Sequence, residues 1–391
     1  MKIVMVSSWS PRLCGIATYS SELVAALRKN GHHVDVICHT DEECGGHCEP
    51  GVYPVIDTND PGWDQKVFSA ILQISPDVVH IQHEYGLYLT HGDYSGRILP
   101  LLFRLKLEKI PSVMTYHSIY TSLDRPEAIF TDVSLRLLDS AIVHEEIQKL
   151  FLPYNLGWIP YNVHVISHGA KEVVPDPFAK ERFGLTGKKV ALCIGWFEPN
   201  KRFEDVVKIW PEVVRDAGEQ AILVIAGDAR AGSDTGAKYK EQLLRAIEEC
   251  PARHNIKTIL GAFDPDTYDS IISASDFVVL PYKHASQSGN LAHSFALNKP
   301  AIVSSLEGLK AEIEASGAGI AVRVDDLEEL KKAITILLTS DLMLKTYSEH
   351  ARGYVANHIM WENVARKHTL VYENAIDRVT YGTRTRVDQT I

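Results

Sequence analysis

The sequence predicts an α/β protein built from two domains, each with a parallel β-sheet. Short apolar runs rich in Val and Ile alternate with segments of helical periodicity along most of the 391 residues. Strands that alternate with helices in this way form parallel sheets with helices on both faces. The length points to two domains, because one hydrophobic core rarely serves more than about 300 residues. We therefore expect two doubly wound domains.

The individual elements follow from the same periodicity. The predicted strands cover residues 3–6, 34–37, 78–82, 112–116, 141–144 and 163–166 in the first half, and residues 190–194, 221–226, 256–260, 277–280 and 301–303 in the second. A helix is predicted at residues 18–29, where Leu23 and Leu27 share one face and Gly31 follows as a terminator. Three further helices are predicted at residues 327–338, 343–356 and 361–376.

The domain boundaries are predicted from composition. Residues 171–188 are rich in Pro, Gly and charge and are expected to form a linker. The first domain then covers residues 1–170, the second covers 189–358, and residues 359–391 form a last helix with a frayed tail. Because ligands of open α/β sheets bind outside the carboxyl ends of the strands, we expect the binding cleft between the two domains.

The composition excludes several classes of protein. Apolar residues make up 45% of the chain and charged residues 23%, as in ordinary soluble proteins. The formal net charge of −10 argues against nucleic acid as a partner. No apolar run approaches the length of a membrane span, and six cysteines in a chain of this length suit a reducing compartment. We expect a cytoplasmic protein.

One segment could contact a membrane surface. Residues 101–110 place Arg104, Lys106 and Lys109 among leucines. Glu108 offsets one of these charges, and firm binding to a membrane surface needs a larger basic cluster. We therefore expect an ordinary helix that covers the sheet, with at most peripheral membrane contact.

One cluster of residues suggests a metal. Its members are Cys38, His39, Cys44, His47 and Cys48. Structural zinc sites usually have paired ligands at short regular spacings, and this cluster does not. We therefore expect no metal.

The most informative segment runs from Tyr282 to Pro300, between two predicted strands. Ser288 is suited to cap a helix, which leaves the N–H groups of Gly289, Asn290 and Leu291 without partners at the positive end of the helix dipole. Gly289 has no side chain, so a ligand can approach the backbone closely. Such a helix start binds phosphate readily, and the sequence therefore predicts a phosphate-bearing ligand.

These segments together resemble the retaining glycosyltransferases of family 4, which have the GT-B fold. The resemblance spans nearly the whole chain and is carried by Gly15-Ile-Ala-Thr-Tyr-Ser20, Asp77-Val-Val-His-Ile-Gln-His-Glu-Tyr-Gly-Leu87, Met114-Thr-Tyr-His117, Val165-Ile-Ser-His-Gly169, Gly195 with Asn200-Lys201, the Ser288 helix start, and Trp361-Glu-Asn-Val-Ala365 with Tyr372-Glu373. It implies two Rossmann-like domains facing a central cleft and a C-terminal helix that crosses back to the first domain.

The chain departs from the family pattern at three places. Family members usually carry two glutamates eight positions apart, where this chain has Ala285 and His293. The first glutamate meets the transferred sugar and the second meets the ribose of the nucleotide. Trp196 stands where an arginine is usual. Because a subset of the family has a Ser-Gly-x-Leu-Ala helix start without the first glutamate, we interpret the chain as a divergent enzyme.

The resemblance implies roles for ten residues. His117, Lys201 and Arg202 are the expected catalytic residues: the histidine meets the donor sugar or the developing phosphate charge, and the two cations stabilise the leaving diphosphate. An imidazole suits this because it titrates near neutral pH and donates from either nitrogen. The expected donor-binding residues are Gly15, Ser288, Gly289, Asn290, Leu291, His293 and Phe263, with His293 in place of the ribose-binding glutamate and Phe263 beside the base.

The sequence thus predicts a metal-independent glycosyltransferase. It would move a hexose, with mannose from a GDP donor as the first guess, from a nucleoside-diphosphate sugar to a hydroxyl of a glycan or glycolipid. Domain closure would exclude water, which competes with the acceptor. Two alternatives belong to other classes of protein. The absence of both glutamates also fits a noncatalytic nucleotide-sugar or glycan-binding protein, and the fold also serves phosphorylases and epimerases.

Overall fold

The structure, a computed structural model, describes residues 1–12, 14–40, 49–88, 98–120, 122–170, 173–284 and 289–382. The chain forms two compact units. Unit 1 comprises Met1–Gly169 and Trp361–Ile391, and unit 2 comprises Ala170–Met360. Each unit is an α/β body around one parallel sheet, so the predicted fold class is confirmed. Within the described ranges, no helix combines the length and apolar character that a membrane span requires.

Unit 1 contains seven strands and six helices among its described residues. The strands are β1 Lys2–Val6, β2 His33–His39, β3 Val52–Ile56, β4 Val78–His83, β5 Ser112–Tyr116, β6 Ser140–Val143 and β7 Val163–Val165, and the helices are α1 Gly15–Lys29, α2 Trp63–Ile74, α3 Ile98–Leu107, α4 Arg125–Leu137, α5 Glu146–Leu156 and α14 Trp361–Tyr381. The strand order is β3-β2-β1-β4-β5-β6-β7, with all neighbours parallel. Helix α1 begins three residues earlier than predicted, because the Cys14 side chain caps it by accepting from the Ala17 N–H.

In the part of unit 2 that the structure describes there are six strands and eight α-helices. The strands are β8 Lys189–Ile194, β9 Ala221–Gly227, β10 Ile256–Leu260, β11 Phe277–Leu280, β12 Ala301–Ser304 and β13 Gly319–Val322, and the helices are α6 Ala179–Arg182, α7 Phe203–Ala217, α8 Asp234–Glu249, α9 Pro265–Ser273, α10 Gly289–Ala296, α11 Glu307–Ser316, α12 Leu327–Thr339 and α13 Asp341–Tyr354. The strand order is β10-β9-β8-β11-β12-β13, again all parallel.

The sequence did not predict two of the strands, β3 and β13, and each of them lies at the edge of its sheet. Strand β3 contains Pro54, which lacks the N–H that a central strand donates, and three of its five side chains are partly or fully exposed. Strand β13 begins at Gly319, where a Cβ would lie 1.9 Å from the Ala301 carbonyl oxygen. An edge strand is covered less completely, so its apolar signal is weaker than that of a central strand.

The core of unit 1 lies on both faces of its sheet. One face packs α2, α3 and α4 around residues such as Trp63 and Leu102. The other face packs α1 and α14, which contribute Leu23, Leu27 and Tyr372. Because both faces of the sheet are covered, every residue of the central strands β4 and β5 is buried, including the polar His80, Gln82 and His83 of β4.

Unit 1 also buries several histidines. His83, His144 and His368 are each no more than 1% exposed. Burial disfavours the charged imidazolium, and it lowers the pKa of His83 to about 3, that of His144 to about 3 and that of His368 to about 4. A neighbouring histidine, His168, lowers the pKa of His144 further. The fold therefore keeps these three rings neutral at physiological pH.

This burial predicts an acid-sensitive fold. Between its folded pKa and its ordinary value near 6.5, a buried histidine takes up a proton only when the chain unfolds. The three groups therefore leave the free energy of unfolding unchanged above pH 6.5 and lower it as the pH falls below 6.5. We expect each such histidine to cost about 1 kcal/mol between pH 6.5 and 5.5, so these three rings contribute a loss of about 3 kcal/mol. His80 and His117, whose pKa burial also lowers well below the ordinary value, add to this loss, which denaturant unfolding measures.

Two variants test the source of this slope. His368→Gln removes one buried ring and should reduce the loss of stability over this pH range by about 1 kcal/mol. His254→Gln changes an exposed histidine and should leave the slope unchanged. An identical slope in His368→Gln and in the unchanged protein would contradict the assignment.

Candidate functional site

The carboxyl ends of the central strands of unit 2 approach one another closely. Gly195 follows β8 and Gly227 ends β9, with φ angles of 134° and 144°. A Cβ on Gly227 would lie 2.0 Å from the Gly195 carbonyl oxygen, and a Cβ on Gly195 would lie 2.9 Å from Asn290 Nδ2. Larger residues would fit neither the conformation nor the space. The two glycines therefore let the backbone turn sharply at the carboxyl ends of the strands, where ligands of such folds bind.

Asn290 fixes the start of α10 to this edge. Its Nδ2 donates to the Ile194 carbonyl oxygen at 2.9 Å and lies 3.3 Å from the Tyr282 hydroxyl. Its Oδ1 accepts from the Tyr268 hydroxyl at 2.8 Å. The side chain thus joins the end of β8, helix α9 and the segment after β11. It serves this architecture, and only the backbone of Asn290 is left for the donor-binding role that the sequence suggested.

The predicted phosphate-binding segment is partly described. Ser288 and Ala285 lie outside the described residues, whereas Gly289 and Leu291 lie in the first turn of α10. The first N–H groups of an α-helix have no partner inside the helix. A Cβ on Gly289 would have no neighbour within 4 Å among the described residues, so the start of α10 is open on that side. The Leu291 side chain is buried in the core, so its backbone is what a ligand could meet.

Lys201 lies beside the segment that leads to α10. It ends a short 3₁₀ turn, Pro199–Lys201, and its Nζ lies 3.7 Å from the centre of the buried Tyr282 ring. The Lys283 N–H donates to the Asn200 carbonyl oxygen at 2.8 Å and holds the two loops together. Among the described residues Lys201 has no carboxylate partner, so its charge is balanced only by the face of the ring.

Arg202 is held differently. Its φ of 55° is left-handed, and its guanidinium forms two hydrogen bonds with Asp205, from Nε to Oδ2 at 2.8 Å and from Nη2 to Oδ1 at 3.2 Å. Carboxylates of Glu204 and Asp325 lie 3.6 Å from the same group. The predicted role of Arg202 at a phosphate would therefore require it to leave or share these carboxylates, and Lys201 is the less engaged of the two cations.

His293 is paired with a carboxylate that sequence reasoning missed. Its Nε2 makes a short hydrogen bond with Asp269 Oδ1, and the Tyr268 ring meets its ring edge-on at 5.6 Å between centres. Asp269 lies in α9, 24 residues earlier in the chain, so no local pattern could have revealed the pair. The carboxylate and imidazole together form a polar patch where family members carry a glutamate.

Phe263 and Gly15 are two further residues that the sequence predicted to bind the donor. Phe263 is half-buried, packs against the core of unit 2, and lies 3.5 Å from where a Cβ on Gly261 would be. Gly15 is the exposed first residue of α1, after the carboxyl end of β1 in unit 1. Phe263 therefore has a packing role independent of any base, and Gly15 offers an open helix start.

His117 follows β5 at the carboxyl edge of the unit 1 sheet. Its Nε2 lies 2.9 Å from Gln82 Oε1, and its Nδ1 lies 3.4 Å from His144 Nε2. Burial and the neighbouring His144 and His168 lower its pKa well below the ordinary value. The expectation of a ring that titrates near neutral pH and donates freely is therefore corrected: both nitrogens are engaged and the ring is neutral.

The cysteine and histidine cluster that suggested a metal lies partly outside the described residues. No group of three or more His, Cys, Asp or Glu residues suited to a metal occurs among them. Cys44, His47 and Cys48 lie outside them. His39, from the same cluster, is buried and its Nε2 lies 3.0 Å from the Leu87 carbonyl oxygen.

Comparison with known proteins identifies the class of protein. The family of glycosyl transferases group 1 matches residues 176–354, and the family Glycosyltransferase Family 4 matches residues 14–171. The two matched regions correspond to units 2 and 1 and together reach from residue 14 to residue 354. The fold and the two family matches define a GT-B glycosyltransferase. The chain belongs to glycosyltransferase family 4.

Individual relatives are distant. Two uncharacterized glycosyltransferases of Methanocaldococcus jannaschii are similar: MJ1069 is 23% identical over 206 residues, and MJ1607 is 22% identical over 411 residues. The first match covers 52% of this chain and about half, 49%, of the relative, whereas the second covers 96% and 99%. The structure of Anabaena Alr3699/HepE in complex with UDP has a TM-score of 0.75 at 14% identity, covering 95% of this chain and all of that one. This last likeness shows the fold.

The Asn290 contacts predict a stability effect. Asn290→Ala would leave the Ile194 carbonyl and the Tyr268 hydroxyl without partners, and we expect a loss of about 2–3 kcal/mol in the free energy of unfolding. Tyr268→Phe removes only one of the contacts and should cost about 1 kcal/mol. Denaturant unfolding of the three proteins measures both. Equal stability of Asn290→Ala and the unchanged protein would rule out the bracing role.

Proposed function

We propose that the protein transfers a hexose from a nucleoside-diphosphate sugar to a hydroxyl of a glycan or glycolipid, with retention of configuration. The observation that supports this best is the arrangement in unit 2 of Lys201, Tyr282 and the open start of α10. Lys201 carries a positive charge without a carboxylate partner among the described residues, and the first N–H groups of α10 have no partner inside the helix. Both features favour a diphosphate.

The diphosphate would be neutralised by the protein itself. Departure of a nucleoside diphosphate leaves negative charge on its terminal phosphate, and fixed positive groups stabilise that charge in the transition state. Lys201 supplies a point charge and the α10 dipole supplies partial positive charge. Binding would then proceed without a divalent metal. Arg202 would add to this charge if a phosphate displaced it from Asp205.

The nucleoside would be recognised by its ribose. The Asp269 carboxylate orients His293 through its Nε2, and Nδ1 of the same ring is the polar partner that we assign to a hydroxyl of the ribose diol. This pair stands in place of the glutamate that family members carry. It supports a functional donor site in a chain that has neither glutamate.

The transfer needs no dedicated protein base. The bond between the sugar C1 and the phosphate oxygen breaks, and the acceptor oxygen forms a bond to C1 on the same face. The acceptor proton passes to the departing phosphate oxygen. The resemblance to retaining enzymes of family 4 supports this course, as does the lowered pKa of His117, which makes its ring a weak base.

A noncatalytic binding protein is the second candidate. The observation in its favour is the absence of both family glutamates, at Ala285 and His293. Such a protein would bind a nucleotide at the same place. It would show no turnover of the corresponding nucleotide sugar with any hydroxyl acceptor.

Nucleotide binding tests the donor site. We expect one of UDP, GDP, ADP, dTDP and CDP to bind in isothermal titration calorimetry with EDTA present. UDP is the first nucleotide to test because the structure of Alr3699/HepE was solved with UDP. GDP is the second, because the sequence analysis suggested mannose from a GDP donor. Lys201→Ala should weaken binding about 10-fold to 100-fold, since removing a charged hydrogen bond costs about 1.5–3 kcal/mol.

A matched lysine provides the control. Lys208→Ala removes an exposed charge from α7, away from the start of the helix, and should leave the dissociation constant unchanged. If none of the five nucleotides binds at millimolar concentration, the donor-site proposal is wrong. Equal weakening by both substitutions would mean that only net charge matters.

The ribose assignment has its own test. We expect the unchanged protein to bind a ribonucleoside diphosphate about 10-fold more tightly than its 2′-deoxy analogue, a difference worth about 1.4 kcal/mol. His293→Ala should lose this preference, and Asp269→Asn should reduce it. Calorimetry with the two ligands measures the difference. A preference that survives in His293→Ala would place the ribose elsewhere.

A further inference from the structure

The hydrogen bonds around His117 restrict where its proton can be. Nε2 of His117 faces the terminal amide of Gln82 at 2.9 Å, and Nδ1 faces Nε2 of His144 at 3.4 Å. The Tyr19 ring closes the space beside them, edge-on to His117 with 4.8 Å between ring centres. Neither ring nitrogen of His117 therefore depends on solvent for a partner.

The contacts of His144 determine which of its ring nitrogens carries the proton. Its Nδ1 lies 2.9 Å from the Ile166 carbonyl oxygen, which can only accept, so Nδ1 of His144 carries a proton and donates it. The ring is 1% exposed, and a buried imidazole without a carboxylate partner stays neutral. A neutral ring has one N–H only, so Nε2 of His144 is a bare acceptor.

His117 must then donate to His144. If its Nδ1 were bare, two lone pairs would face each other across 3.4 Å. With the proton on Nδ1, the Nε2 of a neutral His117 is bare and needs a donor from Gln82. The amide oxygen of Gln82 faces it in the structure, and rotating the amide by 180° about its last bond exchanges oxygen and nitrogen without other movement.

The rotated amide also suits His80. Nε2 of His80 lies 3.2 Å from the Gln82 amide nitrogen, and after rotation it would face the oxygen instead. Nδ1 of His80 lies 2.8 Å from the Tyr372 hydroxyl, which can donate to it. His80 Nε2–H then points to Gln82 Oε1 and to Thr115 Oγ1, 2.8 Å away. The rotation gives up the contact of the Gln82 amide nitrogen with Met5 Sδ, 3.2 Å away. In exchange, each ring nitrogen of His80, His117 and His144 faces a partner of the opposite kind without a charge.

We propose that Gln82 and His144 are positioning residues that hold His117 as the neutral tautomer with its proton on Nδ1. Gln82 donates to Nε2 and His144 accepts from Nδ1. The assignment rests on the proposed function, in which His117 contacts the donor. It implies that His117 presents an uncharged ring with no free N–H, so the positive charge at the leaving phosphate comes from other groups such as Lys201.

The tautomer can be read directly by NMR. The full chain, labelled with ¹⁵N-histidine, is examined at pH 7 without nucleotide by long-range ¹H–¹⁵N correlation, and His117→Gln and His144→Gln assign the two spin systems. We expect a protonated Nδ1 and a bare Nε2 in both His117 and His144. A His117 that is protonated on Nε2, alone or together with Nδ1, would overturn the proposal.

Two substitutions change the expected state in opposite ways. Gln82→Glu offers only an acceptor to Nε2, so His117 should take up a second proton. His144→Phe removes the acceptor of Nδ1–H, so the proton should move to Nε2 and point to the Gln82 oxygen. A purely structural role would alter stability and leave the tautomer as it was. The Nδ1–H tautomer persisting in both folded variants would overturn the proposal.

The controls separate this proposal from the donor-site proposal. The exposed His254 should keep the same signals in every variant. Because the spectra are recorded without nucleotide, a failure to bind nucleotides removes the donor site and leaves the tautomer result standing. The spectrum of the unchanged protein alone decides the tautomer if a variant fails to fold.

Discussion

The three contacts of the Asn290 side chain are the constraint on which the proposed donor site of unit 2 depends. They join the end of β8, helix α9 and the segment after β11 at the one place where α10 begins. Gly195 leaves room for this amide, since a Cβ at that position would lie 2.9 Å from Asn290 Nδ2. This side chain and the buried Leu291 and Phe295 together hold α10 in place.

Charge in unit 2 is distributed unevenly around that helix start. The guanidinium of Arg202 pairs with nearby carboxylates, whereas the Nζ of Lys201 lies over the face of the Tyr282 ring. A cation over a ring keeps most of its capacity to attract an anion, because a ring quadrupole balances a full charge only partly. Two adjacent cations in the sequence therefore have different chemical availability, and the difference arises from their neighbours.

Unit 1 follows a different rule, in which polar groups are satisfied without charge. Histidines end or follow strands β4, β5 and β6, and the sheet and helices bury them among tyrosines and backbone carbonyls. Each ring contributes one donor and one acceptor, so rings can be joined into a directed chain. Such a chain specifies the orientation of His117 at little electrostatic cost, since no ion is buried.

The sequence by itself determined the α/β class, the two-domain organisation, eleven of the thirteen described strands and the family, because buried parallel strands and long amphipathic helices leave local apolar patterns. It missed β3 and β13, whose exposed edges weaken that pattern. Only the tertiary structure decided that His293 pairs with Asp269, that Arg202 faces carboxylates, and that both nitrogens of His117 are engaged. These facts depend on side chains far apart in the chain that meet at the ends of strands, and no local period encodes such meetings.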